Sequence, residues 1–130
     1  MPLLLHLDHV GILISHILKA TTNAALHRRL DHYVDVQDNA RIHAIALLDP
    51  SVQSERLWAT AATHSWSDVV AALRKLRPGN TLIPDPPPHD SPDLTEMLPR
   101  KRSEALLQSF FGKGWTSLED SIADGIKGFE

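Results

Sequence analysis

Eight histidines in 130 residues are the part of this sequence best suited to chemistry. Imidazole titrates near neutrality, so a histidine can both take and give a proton. His9 and His16 stand seven apart, two helical turns, and share a helix face with Leu13 between them. Asp35 alternates with Val34 and Val36, so in a strand its carboxylate faces away from them. It can then act as a base or orient an imidazole. His9, His16 and Asp35 are therefore the candidate catalytic residues, and Leu13, Tyr33, Asn39 and His43 the candidate substrate-binding residues. The reactions within their reach are cyclisation, lactonisation, dehydration and isomerisation of a small molecule. Plainer readings stand beside these. Asp35 is also a solvated strand carboxylate, and His43 a packed structural histidine. His27, His64 and His89 lie in or near polar stretches and read as exposed.

Other chemistries find little support. His6 and His9 are three apart but lack a third ligand, so no metal site is expected. The chain has no cysteine, which removes disulfides, thiolate nucleophiles and thiolate zinc sites. No Gly-x-Ser-x-Gly elbow occurs. The net charge is −3 and the basic residues are scattered. Arg100-Lys101-Arg102 is too short for a basic patch, so nucleic acid is not an expected partner. The N-terminal apolar run contains no Lys or Arg before Lys19 and is interrupted by His6, Asp8 and His9. That is unlike a signal peptide, and no window is long and apolar enough for a membrane span. A cytoplasmic location is expected.

Positioning those residues falls to a small set of elements. Residues 1–27 read as a helix with the stripe Val10, Ile14, Ile17 and Leu18, widened by Ile12 and Leu13. A helix this apolar is either a central core helix or an interface with a second copy. A homodimer through this helix is expected. Tyr33–Val36 reads as a strand, Asp38 as a helix cap, and Ala40, His43, Ala44, Leu47 and Leu48 as the inner face of the helix that follows. Pro50 ends it. Arg56–Thr60 is the next strand. Ser65 and Asp68 form a capping box for a helix with Val69, Val70, Leu73 and Leu76 inward, closed by Arg77-Pro78-Gly79. Leu82–Pro84 is a short third strand. Six prolines then keep 84–99 extended at the surface. Ser103–Leu107 is a short helix. Thr116 and Glu119 cap a last helix with Leu118, Ile122 and Ile126 on its apolar face. Trp58, Trp66 and Trp115 read as core or interface anchors. The expected fold is α+β: two to three short strands packed with four to five helices in one domain, with a Pro-rich surface loop at 84–101.

Tyr-Val-Asp-Val-Gln-Asp at 33–38, then Ala-Arg-Ile-His-Ala at 40–44, resembles the start of the C-terminal part of extended short-chain dehydrogenase/reductases. The dihydroflavonol-reductase-like aldehyde and ketone reductases are the nearest group. Trp115-Thr116-Ser117-Leu118-Glu119-Asp120-Ser121 is similar to that group's ending. Asp38 and His43 match the pattern, and Asn39 departs from it. The resemblance runs, with gaps, from Tyr33 to the C-terminus. It implies the substrate domain of such a reductase, and the group's fungal members imply a polyketide-type secondary metabolite as substrate.

The group also has a Gly-x-x-Gly-x-x-Gly loop that lets the backbone approach a pyrophosphate, and a Tyr-x-x-x-Lys pair. Neither occurs here, because the single tyrosine, Tyr33, is followed four residues on by Gln37. No cofactor is therefore expected. The expectation is a non-redox small-molecule enzyme, a cyclase, lactonase or isomerase. The alternatives are an inactive reductase-like binding or scaffold protein, or a fragment that needs a separate NAD(P)-binding chain.

Overall fold

The structure, a computed structural model, describes residues 32–88, 90 and 94–129. The helix expected over 1–27, with His9, Leu13 and His16, lies outside the described residues, as does the dimer contact assigned to it. Within them the fold is α+β, with one two-stranded antiparallel sheet and four helices.

Strand β1 is His32–Tyr33 and helix α1 is Val36–Leu48. The strand thus ends at Tyr33, short of the Val36 that the alternation of Val34 and Val36 suggests. The cap is Asp35, whose side chain accepts from the Gln37 amide at 2.9 Å. Asp38, expected as the cap, sits inside the first turn and is fully buried. Two aspartates three apart can both reach free amides here. The backbone is extended at Asp35, which is the geometry a cap needs.

The inner face of α1 also differs from the expected stripe. Asp38, Ile42 and Ile45 are buried, whereas Leu47 and Leu48 are 84% and 71% exposed. The isoleucines offer more apolar area than Ala40 and Ala44 do. Packing them against Leu106 and Leu107 turns the leucines outward.

Strand β2 is Ala62–Thr63, several residues beyond the expected Arg56–Thr60. Helix α2, Trp66–Leu76, has the expected capping box of Ser65 and Asp68 and ends before Arg77. Helix α3 is Arg100–Phe111, longer than the expected Ser103–Leu107. Gly112 ends it in the left-handed region, φ 68°, where glycine carries no steric penalty. Helix α4, Leu118–Gly125, is capped by Ser117 with Asp120, not by Thr116 with Glu119. Leu82–Pro84 is not a strand. It turns Ile83 into the core instead.

Two apolar clusters result. Trp66, Val69, Val70, Leu73, Ile83, Ile122 and Ile126 join α2 to α4. Ile42, Ile45, Leu106 and Leu107 join α1 to α3, with Val52, Leu57 and Trp115 against them. Trp66 is thus a core anchor and Trp115 packs at a core edge, but Trp58 is exposed.

Candidate functional site

The strand pair creates a small groove. His32 pairs with Thr63 and Tyr33 with Ala62. Residues in register share a face, so His32 and Thr63 point to one side of the ribbon. Tyr33 and His64 share the other, their rings edge-on at 5.7 Å. The outer side, with Leu94, Thr95, Glu96, Met97 and Arg100, lines a groove of about 310 Å³. That volume is at the lower end of small-molecule sites.

The Pro-rich segment before the groove residues is bound to α2 by an ion pair and a hydrogen bond. Arg74 of α2 bonds Asp85 at 2.6 Å. Asp90 accepts from the Ser67 amide at 2.6 Å. Burial alone would raise the Asp90 carboxyl, but hydrogen bonds from Ser67, Trp66 and Ser65 outweigh it and hold it below its ordinary value. The Pro-rich stretch is therefore tied to the start and middle of α2.

Arg100 is the groove's fixed cation. It is the first residue of α3, and its Nη1 donates to the Ala61 carbonyl oxygen at 2.6 Å. Glu104 Oε2 stands 3.7 Å from the same nitrogen. Glu96, also on the lining, pairs with Lys101 at 3.4 Å.

The residues singled out from sequence do not meet here. Asp35 is buried as a helix cap, neither a solvated carboxylate nor a free base. The Tyr33 hydroxyl donates to the Thr116 carbonyl oxygen at 3.2 Å and lies away from the groove. Burial is the main reason its phenol is pushed up, with Asp38 adding to it and a backbone hydrogen bond at Leu118 and the Arg100 charge opposing. His43 is exposed on α1, not packed, with Nδ1 2.8 Å from the Asn39 carbonyl oxygen. Asn39 lies on that same stretch of helix and is not among the residues lining the groove. His64, expected at the surface, is buried behind Tyr33. Sequence reasoning missed His32, Thr63, Thr95 and Arg100. One signal was available: Arg100-Lys101-Arg102 opens a helix where acidic residues are favoured, an arrangement that invites a second reason.

No dinucleotide cradle forms among the described residues. Such a cradle needs glycines between a strand and a helix N-terminus. Gly112 instead follows the end of α3 and Gly125 ends α4. Asp35, Ser65, Pro99 and Ser117 precede the four helices. The described residues therefore offer no such cradle. Among the described residues no group of three His, Asp or Glu could hold a metal ion. No helix among them is long and apolar enough to cross a membrane.

Comparison with known proteins gives a consistent direction. The chain is 46% identical over 114 residues to a protein named Ketoreductase adrE from Penicillium roqueforti, covering 87% of this chain and 34% of that protein. It is 44% identical over 95 residues to Ketoreductase nvfG of Aspergillus novofumigatus, covering 72% of this chain and 28% of that one. It is 34% identical over 96 residues to Aldehyde reductase 2 of Sporidiobolus salmonicolor, 72% of this chain and 26% of that protein. The chain spans about a third of the length of the curated relatives it matches, and over that span it is reductase-like. No protein-family model matches the chain, and no solved structure does.

Proposed function

We propose that this chain binds a small ketone- or aldehyde-bearing molecule in the groove between the β1–β2 ribbon and α3, as the substrate-facing part of a reductase-like protein. The supporting observation is the 46% identity to a protein named a ketoreductase over 87% of this chain. The groove supplies a place of small-molecule size, with apolar walls at Leu94 and Met97 and polar groups at His32, Thr63 and Arg100. Hydride transfer then requires a nucleotide held by residues outside these 130, since neither the glycine-rich loop nor a Tyr-x-x-x-Lys pair is among them. The relatives are similar here over only a third of their own length, in keeping with that division of labour.

A second reading rests on the histidine content. In it the chain is a cofactor-independent cyclase, lactonase or isomerase of a polyketide-type metabolite, with His9 and His16 carrying protons. The engaged state of Asp35 leaves that reading with two of its three expected groups. One experiment separates the two. The purified chain is titrated by calorimetry with NADPH and with a small ketone, then incubated with candidate polyketide intermediates. The first reading expects ketone binding, no NADPH binding and no turnover. Micromolar NADPH affinity would contradict it. Turnover without cofactor, lost in His9→Ala and His16→Ala, would establish the second.

A further inference from the structure

We infer that the groove selects organic anions, a compact apolar body carrying one carboxylate, and that Arg100 is the residue that reads the charge. The inference rests on the substrate-site reading above and adds the chemical class.

The argument begins with how Arg100 is held. Its Nη1 is committed to the Ala61 carbonyl oxygen at 2.6 Å, in the stretch that leads into β2. That bond fixes the guanidinium at the groove wall, so its placement costs little further side-chain entropy on binding. Nη1 is also the nitrogen that approaches Glu104, at 3.7 Å. Among the described residues Nη2 and Nε have no protein partner. A guanidinium anchored by one nitrogen, with no described partner on the others, presents a planar donor edge, which matches a carboxylate better than a lone carbonyl oxygen.

The charges around it point the same way. Glu96 is the groove's only acid among its described lining residues, and Lys101 pairs with it at 3.4 Å. Glu104, the other acid near Arg100, is at the edge of ion-pair distance. His32 adds a donor or acceptor on the opposite wall, in register with Thr63. The first turn of α3 contains no acid, and Pro99 provides no side-chain cap. The first three amides of α3 already donate to the Met97, Leu98 and Pro99 carbonyl oxygens, so an anion in the groove meets chiefly the guanidinium, and among the described residues it displaces no strong pair. Leu94 and Met97 leave room for a short apolar body in a groove of about 310 Å³.

The test uses 4-oxohexanoate and its methyl ester, which share the ketone and differ in charge. Both are titrated into the full 130-residue chain by calorimetry and by nuclear magnetic resonance. The acid should bind roughly tenfold or more tightly than the ester, the scale of one charge-assisted hydrogen-bond pair. Arg100→Gln should remove that preference while leaving ester binding intact. Glu96→Gln, which leaves the Arg100 anchor alone, should tighten acid binding severalfold. Leu94→Trp, at a residue 90% exposed, should weaken both ligands by filling the groove. Equal binding of acid and ester, unchanged by either charge variant, would overturn the anion inference while the substrate site stands. If neither ligand binds the wild-type chain, the substrate-site reading falls and the inference with it.

Discussion

The two helix pairs of this protein close by different means. Helices α2 and α4 meet through side chains that are almost all apolar, with Leu73 fully buried at the centre and Ile83 and Ile126 closing the ends. Helices α1 and α3 meet through only four buried apolar residues, and a fully buried carboxylate lies beside them. Asp38 accepts from the Thr116 amide at 2.6 Å and from Arg41 Nη1 at 2.9 Å. The first pair is held by burial, which is non-directional and tolerant. The second depends on a polar latch that joins α1 to the turn before α4, and such latches fail sharply when one partner is lost.

The contrast yields an ordered set of outcomes. Leu73→Ala should cost the most, about 4 kcal/mol, because its cavity opens in the middle of the apolar pair. Chemical denaturation with an unchanged m-value would register it. Asp38→Ala should cost about 3 kcal/mol, since it strands the Thr116 amide and the Arg41 charge. Asp38→Asn keeps an acceptor and should recover part of that loss. Equal stability of Asp38→Ala and wild type would erase the distinction between the two pairs.

A smaller effect concerns the Pro-rich segment bound to α2. The folded Asp90 carboxyl titrates below its ordinary value, so its contribution is present above that value and is lost as the pH falls through the folded one. The group is only partly buried, so the effect on global stability should be slight. Hydrogen exchange at the Ser67 amide should show protection at pH 5 and its loss as the pH drops well below 4. Smallest of all, Leu47→Gln should change stability by no more than about 0.5 kcal/mol, because that side chain is 84% exposed. A large loss would restore the inner face first expected of α1.

The same contrast explains what was legible in the sequence. The α2–α4 pair reads almost directly, because Val69, Val70, Leu73 and Leu76 fall at helical spacing behind the Ser65–Asp68 box. Leu118, Ile122 and Ile126 do the same for α4. The α1 face was misread because its buried side includes a charge. Asp38 looks like a surface cap until Thr116, 78 residues on, supplies its partner. The groove was hidden for a related reason. His32 and Thr63 come together only through strand register, and Arg100 reaches them from α3 by bonding the Ala61 carbonyl. Nothing in local spacing encodes a contact of that kind. His64 shows the limit from the other side, since a polar neighbourhood in sequence became a buried position behind Tyr33.

The substrate-site assignment is tested most directly by amide chemical shifts of the isotope-labelled chain during titration with methyl 4-oxohexanoate, a neutral ketone. Binding in the groove predicts saturable shifts concentrated at His32, Thr63, Thr95 and Arg100, with Asn39 and His43 of α1, outside the groove lining, unmoved. Shifts centred on Asn39 and His43, or none at millimolar ketone, would contradict it.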